Sequence, residues 1–237
     1  RAVEHANPEL AGALLGESAL NQKNIDRILA ETDGSSNKGN MGANAVLGIS
    51  LAVARAAAGA LGLPLYRYLG GCHAGRLPVP MMNILNGGRH ADNTVDFQEF
   101  MIMPVGAGCF REGLRMCAEI YQTLKKILKD RGLSTAVGDE GGFAPDVKDT
   151  RAVLQLILEA AEQSGYRPGQ DVAIAMDAAA SELYDPEKNV YYFPGESRMT
   201  GSAVQRDTRE MVEYYRELIR EFPIVSLEDG LQEDDWE

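Results

Sequence analysis

Cysteine is scarce in this sequence, and the few cysteines present exclude the common cysteine-rich classes of protein. Cys72, Cys109 and Cys117 are odd in number and lack the spacing of a metal site. Such usage indicates reduced thiols in a cytosolic protein, because a disulfide-stabilised secreted domain needs paired cysteines. No signal peptide is recognisable, and the chain begins at Arg1 rather than methionine. We therefore expect a cytoplasmic location.

Positive charge is also in short supply. Lysine and arginine total 23 against 35 acidic residues, which gives a formal net charge of -12. No basic stripe interleaved with aromatic residues is present, and this disfavours nucleic-acid binding. No apolar run approaches the ~20 residues of a membrane span. We expect neither nucleic acid nor a membrane span among the features of this chain.

The 237 residues change in character at Leu77. Before this point no strand is evident and the apolar spacing predicts helices. One begins at Asn7-Pro8, a second contains Ile25 and Leu29, and a third, Ala43 to Ala60, is apolar on nearly every face and is expected to be buried. We expect two domains, residues 1–76 and residues 77–237.

After Leu77, short apolar strands alternate with helices. The predicted strands are 78–84, 97–103, 172–176 and 224–227. Apolar residues at steps of three and four predict helices from Phe110, Val153 and Thr208, and a hairpin is expected around Asp185-Pro186. Strands buried on both faces and alternating with helices predict a parallel sheet, and hence an α/β fold.

Two of these strands end in an acidic residue, Asp177 and Glu228. In α/β barrels the carboxyl ends of the strands carry the chemistry, so the two side chains should converge on one mouth. Either residue alone could simply cap the helix that follows. Two in matching positions favour a divalent-cation site, and their hard oxygen ligands suit Mg²⁺.

Two further acidic positions accompany them. Gln98 and Glu99 lie in an otherwise apolar strand on alternate sides, and a buried charge there must be paired, metal-bound or functional. Asp139-Glu140 lies in a glycine-rich loop, residues 136–145, that could carry a carboxylate to a reacting atom. Alone, such a loop is more often a solvated turn. The presence of Glu99, Asp177 and Glu228 elsewhere in the chain favours a functional site over a solvated turn.

Five motifs, in order along the chain, resemble those of the enolase family. They are Pro80-Met-Met-Asn-Ile-Leu-Asn-Gly-Gly-Arg-His90-Ala-Asp-Asn93, Gln98-Glu99-Phe-Met-Ile102, Gly138-Asp-Glu140-Gly-Gly-Phe-Ala-Pro145, Met176-Asp177-Ala-Ala-Ala-Ser-Glu-Leu-Tyr184 and Ile224-Val-Ser-Leu-Glu228-Asp-Gly-Leu231. The resemblance covers essentially the whole chain. It implies the first half of an enolase-type β/α barrel (77–237), preceded by the helical rear part of an α+β N-terminal domain (1–76).

The same resemblance implies an activity. Enolases are lyases of glycolysis and gluconeogenesis that reversibly dehydrate 2-phosphoglycerate to phosphoenolpyruvate with Mg²⁺. By position, Asp177 and Glu228 resemble two of three metal-binding carboxylates. Glu140 resembles the acid that helps hydroxide leave, assisted by Glu99, and His90, Gln98 and Glu99 resemble residues that contact substrate, His90 being counted with the catalytic set. The family's usual dimer or octamer is expected of the full-length protein.

The resemblance also implies that the chain is an internal piece. The barrel of the family has eight strands, of which four can be placed here. The third metal carboxylate, the base lysine, a second active-site lysine and a Ser-His-Arg phosphate loop have no counterpart, so the chain alone is expected to be inactive. Two alternatives stay open: a non-catalytic enolase-derived fragment or surface interaction protein, and a superfamily member with another substrate. The intact Glu99 and Glu140 motifs argue against the latter.

Overall fold

A computed structural model describes residues 2–236 of the protein. The chain divides into two compact units, one ending at Arg76 and the other beginning at Leu77.

The first helix of unit 1 does not begin at Asn7-Pro8, as the sequence analysis expected. Helix α1 (Ala2–His5) continues through a π-helical turn (Ala6–Leu10) into α2 (Ala11–Ala13). Because proline has no N–H, it removes one bond from the helical ladder, and the wider turn accommodates that loss. The predicted start was therefore wrong.

The second predicted helix is confirmed as α3 (Gln22–Asp33). The Asn21 side chain accepts a hydrogen bond from the Asn24 N–H, and Gly34 ends the helix with a φ of 71°. Glycine suits this left-handed position because it has no Cβ. Ile25 and Leu29 are buried together with Leu10, and these residues form the small core of the unit.

Helix α4 (Ala43–Ala60) forms as predicted, but the expectation that it is buried was wrong. Only Ala45, Ala54, Ala57 and Ala58 are buried, whereas Leu47 is 59% and Leu51 50% exposed. The core of the unit is too small to cover more than one side of an 18-residue helix. By length and composition alone, α4 could cross a membrane, which the sequence analysis did not recognise; core helices of soluble proteins pass the same test. The unit ends with α5 (Leu65–Gly70), and no strand lies between Ala2 and Arg76.

All four predicted strands are present in unit 2: β1 (Met82–Asn86), β2 (Glu99–Met103), β3 (Ala173–Asp177) and β7 (Ile224–Glu228). The first was expected to begin at Pro78, but Pro78 and Pro80 cannot donate to a strand ladder, and β1 begins only after them. The four strands form one sheet in the order β1-β2-β3-β7.

The sheet is not parallel throughout, which corrects the sequence expectation. Strands β1 and β2 pair antiparallel, as do β2 and β3, and only β3 and β7 are parallel. No helical crossover separates β1 from β2; a loop with one short 3-10 turn (Gly88–His90) joins them. Adjacent strands can then pair antiparallel while both faces are still buried, so burial alone did not predict direction.

Three long helices cover the sheet: α6 (Phe110–Asp130), α7 (Thr150–Gln163) and α9 (Thr208–Glu221). Ile120, Ile157 and Leu218 from these helices join Phe100 and Ile102 of β2 in one buried cluster. Each such side chain contributes roughly 1.5–3 kcal/mol of hydrophobic stabilisation when fully buried. The cluster fixes the sheet that carries the acidic strand ends.

The predicted hairpin is confirmed as β4 (Tyr184–Asp185) paired with β5 (Val190–Tyr192). The sequence analysis missed a third strand, β6 (Gln205–Arg206), and the short helix α8 (Pro194–Thr200) between them. A two-residue strand carries no readable alternation, which explains the omission.

Two buried side chains anchor the loop between β1 and β2. The carboxylate of Asp96 accepts hydrogen bonds from the Gly195 N–H at 2.7 Å and from the Glu196 N–H at 2.8 Å. The hydroxyl of Thr94 accepts from the Val147 N–H at 2.9 Å and donates to the Val147 carbonyl at 2.7 Å. Burial raises the pKa of Asp96, and these N–H groups oppose that rise. These buried hydrogen bonds thus fix the loop that carries His90 and Gln98.

Candidate active site

Four polar residues lie in register across one edge of the sheet. Asn86 pairs with Glu99, Glu99 with Asp177, and Asp177 with Glu228. Because β2 runs against its neighbours, its first residue meets the last residues of β1 and β3. The strand ends therefore bring together the acidic positions singled out in the sequence, with Asn86 added to them.

The glycine-rich loop is bound along β1 and places Glu140 at this edge. The Phe143 N–H donates to the Ile84 carbonyl at 3.0 Å, and the Asn86 N–H donates to the Phe143 carbonyl at 2.9 Å. A Cβ at Gly138 would lie 2.5 Å from the His90 carbonyl oxygen, and one at Gly142 would lie 2.7 Å from the Leu85 nitrogen. Only glycine permits this close approach.

Glu140 contacts Asn83, Asn86 and His90, in addition to Glu99. Its Oε2 accepts hydrogen bonds from Asn83 Nδ2 and from Asn86 Nδ2, each at 3.3 Å. Its Oε1 lies 3.2 Å from His90 Nδ1, although the direction does not suit a hydrogen bond. The pair is therefore an ion pair only when the imidazole is protonated. The Asp139 N–H donates to the His90 carbonyl at 3.0 Å, which holds the two loops together.

Glu99 and Glu140 form a carboxyl pair. Burial, the hydrogen bond to Glu140, and the charges of Glu140, Asp177 and Glu228 raise the pKa of Glu99 to about 8. With its pKa raised to this value, Glu99 stays largely protonated at neutral pH, because a further negative charge beside these acidic neighbours would be repelled. A carboxyl group that keeps its proton at neutral pH thus contacts Glu140.

This shift predicts how the folding stability depends on pH. The folded protein keeps a proton on Glu99 between its ordinary pKa of 4.5 and about 8, while the unfolded chain releases it. The stabilising contribution is fully present below the lower value and is lost as the pH rises through the higher one. We expect the free energy of unfolding to fall across this window, and we expect Glu99→Gln, which cannot ionise, to show a shallower fall.

Denaturant unfolding at a series of pH values measures this difference. Glu187→Gln, at an exposed glutamate in the hairpin, should keep the wild-type slope. The raised pKa values of Asp96 and Asp177 act in the same direction in all three proteins and cancel in the comparison. If the free energy of unfolding depended on pH equally in Glu99→Gln and in the wild-type protein, the raised pKa of Glu99 would be contradicted.

Asp177 is half-buried at the end of β3. Its Oδ1 accepts from the Ala179 N–H at 2.9 Å, and its Oδ2 accepts from Gln98 Nε2 at 3.4 Å. Burial raises the pKa of Asp177, the charges of Asp229 and Glu140 add to the rise, and the Ala179 N–H opposes it. A carboxylate crowded by other acids gains from a bound cation.

Glu228 ends the neighbouring strand and its side chain is exposed. The backbone around the two strand ends is tightly fixed, because the Ala178 N–H donates to the Glu228 carbonyl at 3.0 Å and the Ala180 N–H to the Asp229 carbonyl at 2.9 Å. Ala179 and Asp229 adopt φ values of 44° and 45°. Non-glycine residues in this region are strained, and such strain concentrates at functional sites.

The donor chemistry of this edge suits Mg²⁺ but supplies an incomplete set. Asp177 and Glu228 offer hard carboxylate oxygens at paired positions of two parallel strands. Within residues 2–236, no group of three His, Cys, Asp or Glu side chains converges as a metal site. These two carboxylates therefore fit as part of a magnesium shell.

A cavity of about 290 Å³ lies beside the carboxylates. Gln98 and Ala179 form part of its wall, so it adjoins the acidic edge without containing Glu99 or Glu140. Arg89 and Glu182, which also line it, form an ion pair at 2.6 Å. The site thus has room for a small polar ligand at its side.

The structure brings the predicted site residues together. Glu140 contacts both His90 and Glu99, Gln98 contacts Asp177, and Glu228 pairs with Asp177 in the strand register. The roles of these residues stay predictions. Gln98 and Glu99 were expected on opposite sides of a strand. Because β2 begins at Glu99, Gln98 lies outside the strand and its side chain need not point to the opposite face. Both side chains therefore reach the acidic residues at the sheet edge.

Sequence reasoning missed Asn83, Asn86 and Asp229. The two asparagines were visible as polar residues within a short, otherwise apolar strand, the same signal that singled out Gln98 and Glu99. Asp229 follows Glu228 directly and has no separate signal in the sequence.

Comparison with known families matches both units. The family model described as the enolase N-terminal domain matches residues 1–69. The model described as the enolase C-terminal TIM barrel domain matches residues 74–237. Together the two cover nearly the whole chain.

Proposed function

Because the chain belongs to the enolase family, we propose that it supplies part of a lyase that reversibly dehydrates 2-phosphoglycerate to phosphoenolpyruvate in glycolysis and gluconeogenesis. The observation that carries this proposal is the Glu99–Glu140 pair next to His90, on the same sheet edge as Asp177 and Glu228. A proton donor thus lies beside carboxylates that could hold a metal ion, and this ion would bind an acidic substrate.

Elimination of water requires a proton at the departing hydroxyl group. Glu99 holds a proton at neutral pH, and we assign its delivery to Glu140, because the loop 136–145 carries this residue to the edge of the sheet. Glu99 supplies the proton reserve. His90 and Gln98, which contact Glu140 and Asp177, orient the substrate from the loop between β1 and β2.

Asp177 and Glu228 would hold Mg²⁺ through their carboxylate oxygens. When bound, the metal supplies positive charge that stabilises the negative charge developing on the substrate carboxylate. The Gln98 amide and the Ala179 N–H keep the Asp177 carboxylate oriented.

The functional test is phosphoenolpyruvate formation from 2-phosphoglycerate by the complete gene product, with millimolar Mg²⁺ and with a chelator. We expect turnover only with the metal. Carboxylic acids that have an α-proton but no phosphate should not react. Reaction with those acids and not with 2-phosphoglycerate would instead assign the protein to another activity of the superfamily.

Asp177→Ala is expected to raise the Mg²⁺ concentration needed for half-maximal activity by at least about tenfold. Outer-shell partners alone cost about 10–100-fold in metal affinity or activity, and a direct ligand should cost no less. Magnesium titration of the complete protein measures the change.

Asp171→Ala is the matched control. Asp171 lies just before β3, at the end opposite Asp177, where it pairs with Arg167. This variant should keep the wild-type magnesium requirement. An unchanged requirement in Asp177→Ala would reject Asp177 as a ligand.

The family resemblance and composition support two further parts of the proposal. We place the protein in the cytoplasm, in keeping with its unpaired cysteines. We also propose that the complete protein is a homo-oligomer, a dimer or octamer, with neither nucleic acid nor a membrane span among its features.

A further inference from the structure

Asn86 is fully buried at the centre of the candidate site, with 0% of its surface exposed. Its Oδ1 accepts the Gly142 N–H at 2.8 Å. Its Nδ2 donates to Glu140 Oε2 at 3.3 Å and to the Gln98 carbonyl at 3.4 Å. One amide therefore joins the glycine-rich loop, the carboxylate that this loop carries, and the residue preceding β2.

Asn83 lies three positions earlier in β1 and repeats part of this arrangement. Its Nδ2 donates to the same oxygen of Glu140, Oε2, at 3.3 Å. Its Oδ1 is buried and accepts no hydrogen bond among the described residues. Asn83 therefore contacts Glu140 without tying the loop, whereas Asn86 does both.

We propose that Asn86, together with Asn83, is a positioning residue that fixes the orientation of the Glu140 carboxylate. Two amide donors occupy Oε2, and this leaves Oε1 on the side where His90 lies. The Gly142 N–H that Asn86 Oδ1 accepts lies two residues after Glu140, so Asn86 holds both the loop and the carboxylate that the loop carries. The catalytic meaning of this orientation rests on the proposed function.

A side chain that places a catalytic group acts on turnover more than on substrate binding. A misplacement of about 1 Å can cost about 100-fold in rate, so we expect Asn86→Ala to lower kcat by about this factor. The KM for 2-phosphoglycerate should change little, because neither asparagine is assigned a substrate contact.

Asn86→Asp separates positioning from loop anchoring. The aspartate keeps an oxygen for the Gly142 N–H but replaces the donor to Glu140 with an acceptor. Slow hydrogen exchange at the Gly142 amide should therefore persist, while kcat still falls. A merely structural role predicts the opposite result for kcat, since the conservative variant would rescue it.

Asn83→Ala provides a second test in case the variants at buried Asn86 fail to fold. This change removes the bond to Glu140 and leaves no donor or acceptor newly unpaired except at Glu140 itself. We expect kcat to fall by about tenfold, the low end of the range for outer-shell partners. Exchange at Gly142 should not change.

Asn24→Ala is the matched control, because Asn24 Nδ2 also donates to a glutamate, Glu17, at 2.8 Å, but in unit 1. It should leave kcat unaltered.

All variants are made in the complete protein and compared by kinetics, by hydrogen exchange at Gly142, and by the carbon-13 resonance of the Glu140 carboxyl carbon. The proposal requires that this resonance move in Asn86→Asp and Asn83→Ala and stay in place in Asn24→Ala. Wild-type kcat in both Asn86→Asp and Asn83→Ala would overturn it, as would an unmoved resonance in both. Should the wild-type protein fail to dehydrate 2-phosphoglycerate, the proposed function falls, while the resonance and exchange measurements still decide whether the asparagines orient Glu140.

Discussion

Replacing Glu140 by glutamine is expected to lower turnover of the complete enzyme by roughly two to four orders of magnitude, the usual contribution of a general acid. The glutamine has nearly the same shape, and its carbonyl oxygen can still accept the amide bonds from Asn83 and Asn86. It cannot carry the proton that the departing hydroxyl group needs. The fold should therefore survive while the chemistry fails.

The measurement is kcat in the phosphoenolpyruvate assay, with thermal unfolding to show that the variant is folded. Glu159→Gln serves as the control, since Glu159 pairs with Arg131 on the surface away from the cluster. It should retain wild-type turnover. Unchanged turnover in Glu140→Gln would remove Glu140 from the mechanism.

The positions of Asp177 and Glu228 could be predicted from the sequence because each ends a short, mainly apolar strand. Pairing of the two strands fixes their course, and the acidic residue at the end of each then lies at the same edge of the sheet. The glycine-rich loop was predictable for a similar reason, since Gly138 and Gly142 leave no room for a side chain where they approach His90 and Leu85.

The direction of the strands could not be predicted in this way. An apolar strand such as β2 has the same pattern in a parallel and in an antiparallel sheet, and only the loop or helix that precedes it decides between them. The error over α4 has a related cause. The residue pattern predicts that Ala43–Ala60 is an apolar helix, but it does not predict how much surface the rest of the unit offers for this helix to pack against.

Asn83 and Asn86 show a third limit. A carboxylate in an apolar strand attracts notice because burying it unpaired is costly. An asparagine can satisfy its amide locally, and a sequence alone does not distinguish that case from an amide that reaches Glu140 from a distant segment. These contacts join residues more than 50 positions apart.

The 237 residues alone are expected to show no measurable conversion of 2-phosphoglycerate. Enolase-superfamily sites use a lysine or histidine base, and the base must lie within about 2.6–3.2 Å of the proton it removes. The lysines of unit 2 are all exposed and none ends a strand; they are Lys125, Lys126, Lys129, Lys148 and Lys188. His90 lies beside Glu140, and we propose that it contacts the substrate there rather than removing the proton.

Metal binding and solubility should be weak for the same polypeptide. Two carboxylates, Asp177 and Glu228, make a poor magnesium shell, and the outer edge of β7 has no partner strand among residues 2–236. Val225 on this strand is 62% exposed, and an open apolar edge promotes association. A coupled phosphoenolpyruvate assay with millimolar Mg²⁺, calorimetric titration of the metal and light scattering test the three expectations on the purified chain. A soluble monomer that turns over 2-phosphoglycerate would contradict them, and would require that His90 or an exposed lysine act as the base.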